Sequence, residues 1–263
     1  MDLQLQSKTA FISGSTQGIG YAIARQLLIE GATVIINGRS QAKINTAIQK
    51  LQQEIPQGKV SGIAADFSNV EQVNALIDTL PELDILIHNV GVFELRNFAD
   101  ITDQQWLAVF EINVMSSIRL SRALFPKMVE RGWGRVLFIS SESGVNIPEN
   151  MIHYGMTKTA LLSISNGLAK LTKNTQVTVN AILGGPTYSD GVAGAVLQIA
   201  KAQDLSEEQM KEFIIQNTNP TSLLQRFIAP SEIANMAVYL CSPLASATNG
   251  AVTRVDGGVL TTL

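Results

Sequence analysis

The chain has 263 residues, 46% of them hydrophobic and 16% charged, a composition that excludes a disordered chain and indicates a buried core. Nineteen basic and 22 acidic residues give a net charge of −3 without a basic cluster, which argues against nucleic acid as a partner. The start of the chain lacks a signal-peptide pattern and no stretch suits a membrane span, so we expect a cytoplasmic protein without a membrane partner.

Seven short apolar runs along the chain are predicted to be β-strands. In chain order they are TAFIS, ATVIIN, KVSGIAAD, DILIHNV, GRVLFIS, VTVNAIL and AVTRVDG. Segments with helical spacing separate them, and this alternation predicts right-handed crossovers between parallel strands. We therefore expect an α/β fold in which a doubly wound, seven-stranded parallel sheet carries helices on both faces.

Three helix starts are predicted from capping boxes, in which a Ser or Thr lies three residues before a Glu or Gln. The pairs are Ser68 with Glu71, Thr102 with Gln105, and Ser206 with Gln209. Residues 185–229 contain no predicted strand, so they are expected to form a helical excursion above the sheet. We interpret this excursion as a substrate lid within a single domain that spans residues 1–263.

Three glycines follow the first strand directly, in the sequence SGSTQGIG at residues 13–20. Such a turn lets main-chain amides approach a pyrophosphate, and the amino terminus of the next helix favours the anion. The stretch therefore predicts a nucleotide site, although a loop with three glycines also serves simply as a tight turn in many proteins.

Tyr154 and Lys158 lie four residues apart at the start of a predicted helix, so both side chains can enter one site. The ammonium group is expected to stabilise the phenolate and to lower the pKa of Tyr154 towards neutral pH. Taken alone, this spacing is more typical of a half-buried Tyr beside a solvated Lys, because chance produces it often. The neighbouring motifs decide between the two interpretations.

Further motifs follow the glycine loop in order: HNVG at residues 88–91, Asn113 in FEINVMSS, Ser141 in ISSESG thirteen residues before Tyr154, and RVDGG near the end. Together they resemble the classical short-chain dehydrogenase/reductase family, from about residue 5 to residue 258. The resemblance implies a Rossmann-type NAD(P)-binding domain and hydride transfer between a nicotinamide and a carbonyl or alcohol. His88 stands where the family has Asn, and we assign it no chemistry.

The resemblance also implies individual roles. Tyr154 would be the general acid in reduction and the base in oxidation, and Lys158 would tune it and hold the nicotinamide ribose. Ser141 would donate a hydrogen bond to the substrate oxygen, and Asn113 would anchor a water relay. The implied cofactor-binding residues are Gly14, Ser15, Gln17, Gly18, Ile19, Gly20, Arg39, Asp66, Asn89, Gly91, Tyr154, Lys158 and Thr187. No metal site is predicted, because the two histidines lack a Cys or carboxylate cluster.

Cofactor preference is read from VIINGRSQAK, the stretch after the second strand. No acidic residue that could bind the adenosine ribose occurs between Val34 and Gln53, and Arg39 can pair with a 2′-phosphate instead. NADP(H) is therefore favoured over NAD(H). By resemblance, Asp66 would accept a hydrogen bond from the adenine amine and Thr187 would bind the carboxamide.

Two functions remain open at this point. The favoured one is an NADP(H)-dependent oxidoreductase that interconverts a small-molecule carbonyl and an alcohol, as a ketone or 3-oxoacyl reductase. The alternative is a non-catalytic NADP(H)-sensing binding protein of the same fold. The resemblance further implies a homotetramer that packs through two long helices, expected at about residues 102–130 and 151–173.

Overall fold

The computed structural model describes residues 1–262 and contains one parallel sheet with the strand order β3-β2-β1-β4-β5-β6-β7. The strands are β1 (Thr9–Ile12), β2 (Thr33–Gly38), β3 (Lys59–Ala64), β4 (Ile85–His88), β5 (Trp133–Ser141), β6 (Gln176–Gly184) and β7 (Val252–Val255). The helices are α1 (Gly18–Ile29), α2 (Gln41–Glu54), α3 (Val70–Thr79), α4 (Asp103–Phe110), α5 (Ser116–Arg131), α6 (Ile152–Ala169), α7 (Asp190–Ala202), α8 (Glu207–Thr218) and α9 (Pro230–Cys241). The predicted Rossmann-type fold is confirmed.

Helices cover both faces of the sheet, and neighbouring residues of β1 show how. Ile12 packs in the layer formed with α1, α2 and α9, whereas Phe11 packs in the layer formed with α3, α5 and α6. Successive side chains of a strand point to opposite faces, so a strand covered on both sides must be apolar throughout. This explains why the central strands read as continuous apolar runs.

Two of the three predicted capping boxes are confirmed, at the starts of α4 and α8. The predicted box of Ser68 with Glu71 is wrong, because Asn69 caps α3 and accepts a hydrogen bond from the main-chain amide three residues further on. Asp66 accounts for the difference: its carboxylate accepts hydrogen bonds from both the amide and the hydroxyl of Ser68. Asn is as effective an N-cap as Ser, so the helix begins one residue later.

The predicted long helix over residues 102–130 is interrupted by one π-helical turn. Glu111–Met115 joins α4 to α5 with the wider hydrogen-bonding pattern, and Asn113 is buried within it. A π turn inserts an extra residue into a helix and occurs often at functional sites. Here it turns Asn113 inward, towards the loop that follows β4.

The segment after β6 forms the predicted helical excursion, with α7 and α8 as its two helices. Val196, Ala200 and Met210 are buried against each other, in a small cluster separate from the two layers on the sheet. The start and end of the excursion are joined by a parallel bridge between Thr187 and Ile228. Within residues 1–262, no helix is both long enough and apolar enough to cross a bilayer.

His88 is a buried polar residue at the end of β4. Its Nε2 lies 2.8 Å from the Ser121 hydroxyl of α5, and its ring packs 4.5 Å from the ring of Phe138 on β5. Nδ1 has no hydrogen-bond partner within residues 1–262. Burial lowers the pKa of His88 to about 3, so the folded protein keeps the imidazole neutral.

We therefore expect stability to fall as the pH is lowered from about 6.5 towards 3. The unfolded imidazole takes up a proton in this range and the folded one does not, so acid favours unfolding by up to about 1.4 kcal/mol per pH unit. Urea unfolding near pH 7 and near pH 5.5 checks this for the natural protein and for His88→Asn. The variant should lose about 1 kcal/mol less over this interval, and equal losses would contradict the assignment.

Candidate active site

The site residues predicted from the sequence lie at the carboxyl edge of the sheet, where parallel strands all end on one side. The glycine loop follows β1, Asn89 and Gly91 follow β4, and Ser141 ends β5. Thr187 follows β6, and Arg39 and Asp66 follow β2 and β3. In open α/β sheets, ligands bind in the crevice outside this edge.

The glycine loop is shaped by both backbone conformation and close packing. Gly14 and Gly18 have φ values of +62° and +61°, in the left-handed region that favours glycine. At Gly20 a Cβ atom would lie 2.5 Å from Nδ2 of Asn89 and 2.6 Å from the carbonyl oxygen of Gly14. The third glycine is therefore required by space, and it brings α1 close to the loop after β4.

Three polar side chains hold the glycine loop against its neighbours. Asn37, at the end of β2, accepts a hydrogen bond from the amide of Gly14 at 3.1 Å and donates to the carbonyl of Ile63. Asn89 donates to the carbonyl oxygens of Ser13 and Gly14, at 3.0 and 2.8 Å. The Ser13 hydroxyl accepts hydrogen bonds from the two amides at positions 89 and 90. We call Ser13, Asn37 and Asn89 the loop clamp.

The Ser15 side chain also forms hydrogen bonds within the protein. Its hydroxyl donates to the carbonyl of Ile12 at 2.7 Å and accepts from the amide of Asn37 at 2.9 Å, and the residue is fully buried. The Ser15 side chain therefore has a structural role, and a ligand would meet other parts of the loop. Gln17 is exposed and Ile19 is half-buried at the start of α1.

Asn113 fixes the loop after β4 with its side-chain amide. Its Oδ1 accepts from the amide of Val92 at 2.8 Å, and its Nδ2 donates to the Val92 carbonyl and to the Thr157 hydroxyl. Both ends of the amide are therefore used within the protein. If Asn113 binds a water molecule, we therefore expect its main chain, and not its side-chain amide, to make the contact.

Lys158 projects from α6 into the centre of the site. Its Nζ donates to the carbonyl of Ile139 at 3.0 Å and lies 5.5 Å from the ring centroid of Tyr154. Burial lowers the pKa of Lys158 to about 8. A Cβ atom on Gly91 would lie 3.3 Å from Nζ, so the glycine at that position leaves the ammonium uncovered.

The sequence analysis predicted a lowered pKa for Tyr154, and this prediction is wrong. Burial raises the pKa above its usual value of 10.0 and the charge of Glu142 raises it further, while contact with the Ser141 hydroxyl acts in the opposite direction. Lys158 directs its ammonium to a main-chain carbonyl instead of the phenol oxygen. A Lys four residues away is thus not sufficient to make this Tyr more acidic.

Glu142 is a site residue that our sequence analysis missed. Its carboxylate accepts hydrogen bonds from the hydroxyls of Ser141 and Ser143, and burial raises its pKa. The signal was present in the sequence, because an acidic residue directly follows the Ser of ISSESG. Asn37 was missed in the same way, as a polar residue in the apolar run VIIN.

Arg39 and Asp66 lie near each other at the ends of β2 and β3, on the side of the glycine loop away from Tyr154. Arg39 is exposed, and its charge helps to lower the pKa of Asp66, after the larger effect of the hydrogen bonds from Ser68. Thr187, at the opposite side, donates its hydroxyl to the carbonyl of Gly185. These three predicted residues therefore lie to either side of Ser141, Tyr154 and Lys158, and none of them forms a hydrogen bond with those side chains within residues 1–262.

Asp190 also contacts the glycine loop and was not predicted. Its carboxylate, at the start of α7, accepts a hydrogen bond of 2.7 Å from the main-chain amide of Gly18. The same amide was predicted to face a pyrophosphate, and its present partner is an anionic oxygen. With the positive end of α1 behind it, the loop therefore fits the phosphate groups of a dinucleotide.

Exposed apolar side chains occur in the loops at 92–93 and 145–147, and one of them packs beside Tyr154. The Phe93 ring lies 6.0 Å from the Tyr154 ring in an edge-on arrangement and is 56% exposed. Val92, Val145 and Ile147 are also exposed. A separate polar cavity of about 290 Å³ lies between the loops at 95–100 and 150, and its lining includes none of Ser141, Tyr154 and Lys158.

Comparison with known proteins gives consistent matches over the full chain. A family model described as enoyl-(acyl carrier protein) reductase matches residues 14–260. The "uncharacterized oxidoreductase YvrD" of Bacillus subtilis is 46% identical, with both chains fully covered. The 3-oxoacyl-[acyl-carrier-protein] reductase FabG of Aquifex aeolicus is 31% identical over 98% of this chain and all of its own. The structure of L-sorbose reductase from Gluconobacter frateurii, complexed with NADPH and L-sorbose, superposes with a TM-score of 0.93 at 29% identity and full coverage of both chains.

Proposed function

Because this chain belongs to the classical short-chain dehydrogenase/reductase family of oxidoreductases, we propose that it interconverts a small ketone and the corresponding alcohol with NADP(H) as cofactor. The observation that carries the proposal is the meeting of Ser141, Tyr154 and Lys158 at the carboxyl edge of the sheet, beside the glycine loop. A binding protein that only senses the cofactor would have no physical need for this group.

In the proposed reaction, the dinucleotide supplies or accepts the hydride when it is bound. Gly14, Gly18 and the start of α1 would hold its phosphates, and Lys158 would hold the ribose hydroxyls beside the nicotinamide. Tyr154 would give its phenolic proton to the substrate oxygen during reduction and take it back during oxidation. Ser141 would donate a hydrogen bond to the same oxygen as negative charge develops there.

The surroundings of Tyr154 support a substrate with an apolar flank. Phe93 presents exposed apolar surface beside the Tyr154 ring, and Ile147 lies against the neighbouring Gly155. The proposed lid carries further exposed apolar side chains, Leu197 on α7 and Phe213 on α8. Relatives of this chain include a reductase of a sugar, L-sorbose, and a reductase of acyl-carrier-protein substrates. The family resemblance implies that a member acting on carrier-bound substrates has Arg where this chain has Thr175. We therefore favour a free ketone of moderate size over a carrier-bound one.

A direct assay tests the proposed function. Purified protein is mixed with NADPH and a panel of aliphatic ketones, keto sugars including L-sorbose, and a 3-oxoacyl thioester, and cofactor absorbance is followed. Oxidation of NADPH that depends on one ketone class supports the proposal. Tight NADPH binding without turnover of any carbonyl, or of any alcohol with NADP⁺, would favour the cofactor-sensing alternative.

Tyr154→Phe isolates the proton-donating role. We expect the variant to keep its fold and its affinity for NADPH and to lose reductase activity by orders of magnitude, because only the transferable proton is removed. Tyr239→Phe makes the same change on α9, away from the site, and serves as the control. Steady-state kinetics and fluorescence titration with NADPH give the two readouts, and comparable turnover in Tyr154→Phe would refute the proposed acid.

Cofactor preference is tested at Arg39, whose exposed guanidinium supports an NADP(H) site. We expect Arg39→Asp to weaken NADPH binding by more than tenfold, or about 1.4 kcal/mol, and to improve relative use of NADH. Lys59→Gln is the control, because it removes a positive charge at the amino-terminal end of β3, away from the carboxyl ends of the strands where Arg39 lies. Equal affinity of the natural protein for NADPH and NADH would show that the preference is wrong.

The excursion at 185–229 is proposed to act as a lid. Its helices bury apolar residues mainly against each other, and the Asp190 contact is the hydrogen bond that ties the start of α7 to the glycine loop. Few buried contacts therefore hold α7 and α8 to the sheet, whereas the end of the excursion at 221–228 is tied to Gly257, Val259 and the main core. Helices held in this way are typical of a segment that opens locally.

We expect amides of residues 188–217 to exchange with solvent faster than those of β5 in the cofactor-free protein. The exchange should slow markedly when NADPH and a substrate bind together, because the excursion then gains a surface on which to pack. Hydrogen exchange measured by mass spectrometry checks both states. High protection without ligand that is unchanged on binding would show the segment to be a fixed part of the scaffold.

The homotetramer implied by the resemblance stays a prediction, which light scattering can test. Leu107 supports it, because this residue of α4 is 69% exposed on one of the helices expected to form the contact. An apolar side chain of this kind is stabilised when another subunit covers it.

A further inference from the structure

The hydroxyl of Ser141 is directed at a carboxylate of this chain. It donates its proton to Oε2 of Glu142 at 2.5 Å, and it accepts a hydrogen bond from the amide of Ser143 at 3.1 Å. The other carboxylate oxygen, Oε1, accepts from the Ser143 hydroxyl at 3.2 Å. Glu142 thus lies between two serines in the short helical turn that follows β5.

This arrangement conflicts with the role that reduction requires of Ser141. A hydroxyl has one proton, and here that proton is used on Glu142, so it is not available to a substrate oxygen. A neutral carboxyl group reverses the direction of the bond, since its own O–H can donate to the Ser141 oxygen. The Ser141 proton is then free to turn towards the substrate.

We propose that Glu142 is a positioning residue that sets the direction of the Ser141 hydroxyl: as a carboxylate it holds the proton away from the substrate, and as a neutral acid it releases it. The inference rests on the proposed reductase function, because it concerns the hydrogen bond that Ser141 gives to a carbonyl oxygen. Protonation of Glu142 therefore favours carbonyl reduction.

The groups that face Glu142 act in the same direction. The turn at 142–144 packs against β6, which has no ionisable side chain, and against α6, which brings Tyr154 and Lys158 towards the carboxyl. His153 of α6 packs its ring against Trp106 instead. Burial raises the pKa of Glu142, and an ionised Glu142 raises the pKa of Tyr154, so the carboxylate also makes the phenol a weaker acid.

The expected sign of the pH dependence follows. As pH rises through the pKa of Glu142, the carboxylate that forms accepts the hydrogen bond of the Ser141 hydroxyl and makes Tyr154 less acidic. Both changes are expected to slow reduction. Lys158, whose pKa is lowered to about 8, also loses its proton in the alkaline range. A comparison with Glu142→Gln separates the effect of Glu142 from that of Lys158. The Gln side chain cannot ionise, and its NH₂ group can donate to Ser141 as a neutral carboxyl would.

The first test is the pH profile of kcat/KM for NADPH-dependent reduction of the best ketone. We expect the ratio of Glu142→Gln to the natural enzyme to rise with pH, by up to tenfold per unit above the pKa of Glu142. Glu149→Gln makes the same change at an exposed position of the following loop and should give the natural profile. A ratio that does not change with pH, or loss of activity in Glu142→Gln at every pH, would overturn the proposal.

The second test needs no turnover. Infrared difference spectra between the natural protein and Glu142→Gln isolate the carbonyl stretch of the neutral carboxyl, and its loss with pH reports the pKa of Glu142. We expect Ser141→Ala to shift this titration upward, because it removes a donor that stabilises the carboxylate. An unshifted titration would overturn the proposal. If no carbonyl is reduced by the natural protein, the proposed function fails, while this titration still decides whether Glu142 and Ser141 are coupled.

Discussion

Main-chain groups at the carboxyl ends of β1, β2 and β4 need hydrogen-bond partners, because the hydrogen bonds between the strands end there. The shape of the rest of the site depends on which side chains supply these partners. The loop clamp supplies these partners. Asn37 accepts a hydrogen bond from the amide of Gly14, and Asn89 donates hydrogen bonds to the carbonyl oxygens of Ser13 and Gly14. An unpaired buried amide or carbonyl costs about 1–3 kcal/mol, so these contacts hold the glycine loop in one conformation. The position of the loop then determines where a dinucleotide can lie relative to Lys158.

The pKa values of Tyr154 and Lys158 both depend on the neighbouring Glu142 as well as on burial. Burial disfavours the charged forms of Lys158, Glu142 and Tyr154 alike, and the carboxylate of Glu142 shifts the pKa of both of its neighbours upward. A change in the charge of Glu142 therefore changes the proton affinity of both Tyr154 and Lys158.

The fold was predictable from the spacing of apolar runs, and the site residues were predictable from spacing together with the family resemblance. Apolar runs separated by helical segments determine a parallel sheet, and residues placed at strand ends, such as Ser141, must come together at one edge. Spacing does not determine which way a side chain points. Asn69 rather than Ser68 caps α3 because Asp66 engages the Ser hydroxyl, and the raised pKa of Tyr154 depends on burial and on Glu142. These effects needed the three-dimensional structure.

The excursion that carries α7 and α8 has its own small apolar cluster, and its two ends are held side by side by the bridge between Thr187 and Ile228. The two helices α7 and α8 pack mainly on each other, whereas the ends of the excursion are held to the domain by Asp190 at the glycine loop and by the stretch at 221–224 at Gly257 and Val259. Such an insertion can change in length and sequence between relatives without disturbing the strand order or the glycine loop. If the excursion is the proposed lid, residues that contact the substrate can change with it while the proposed catalytic residues on the scaffold below stay in place.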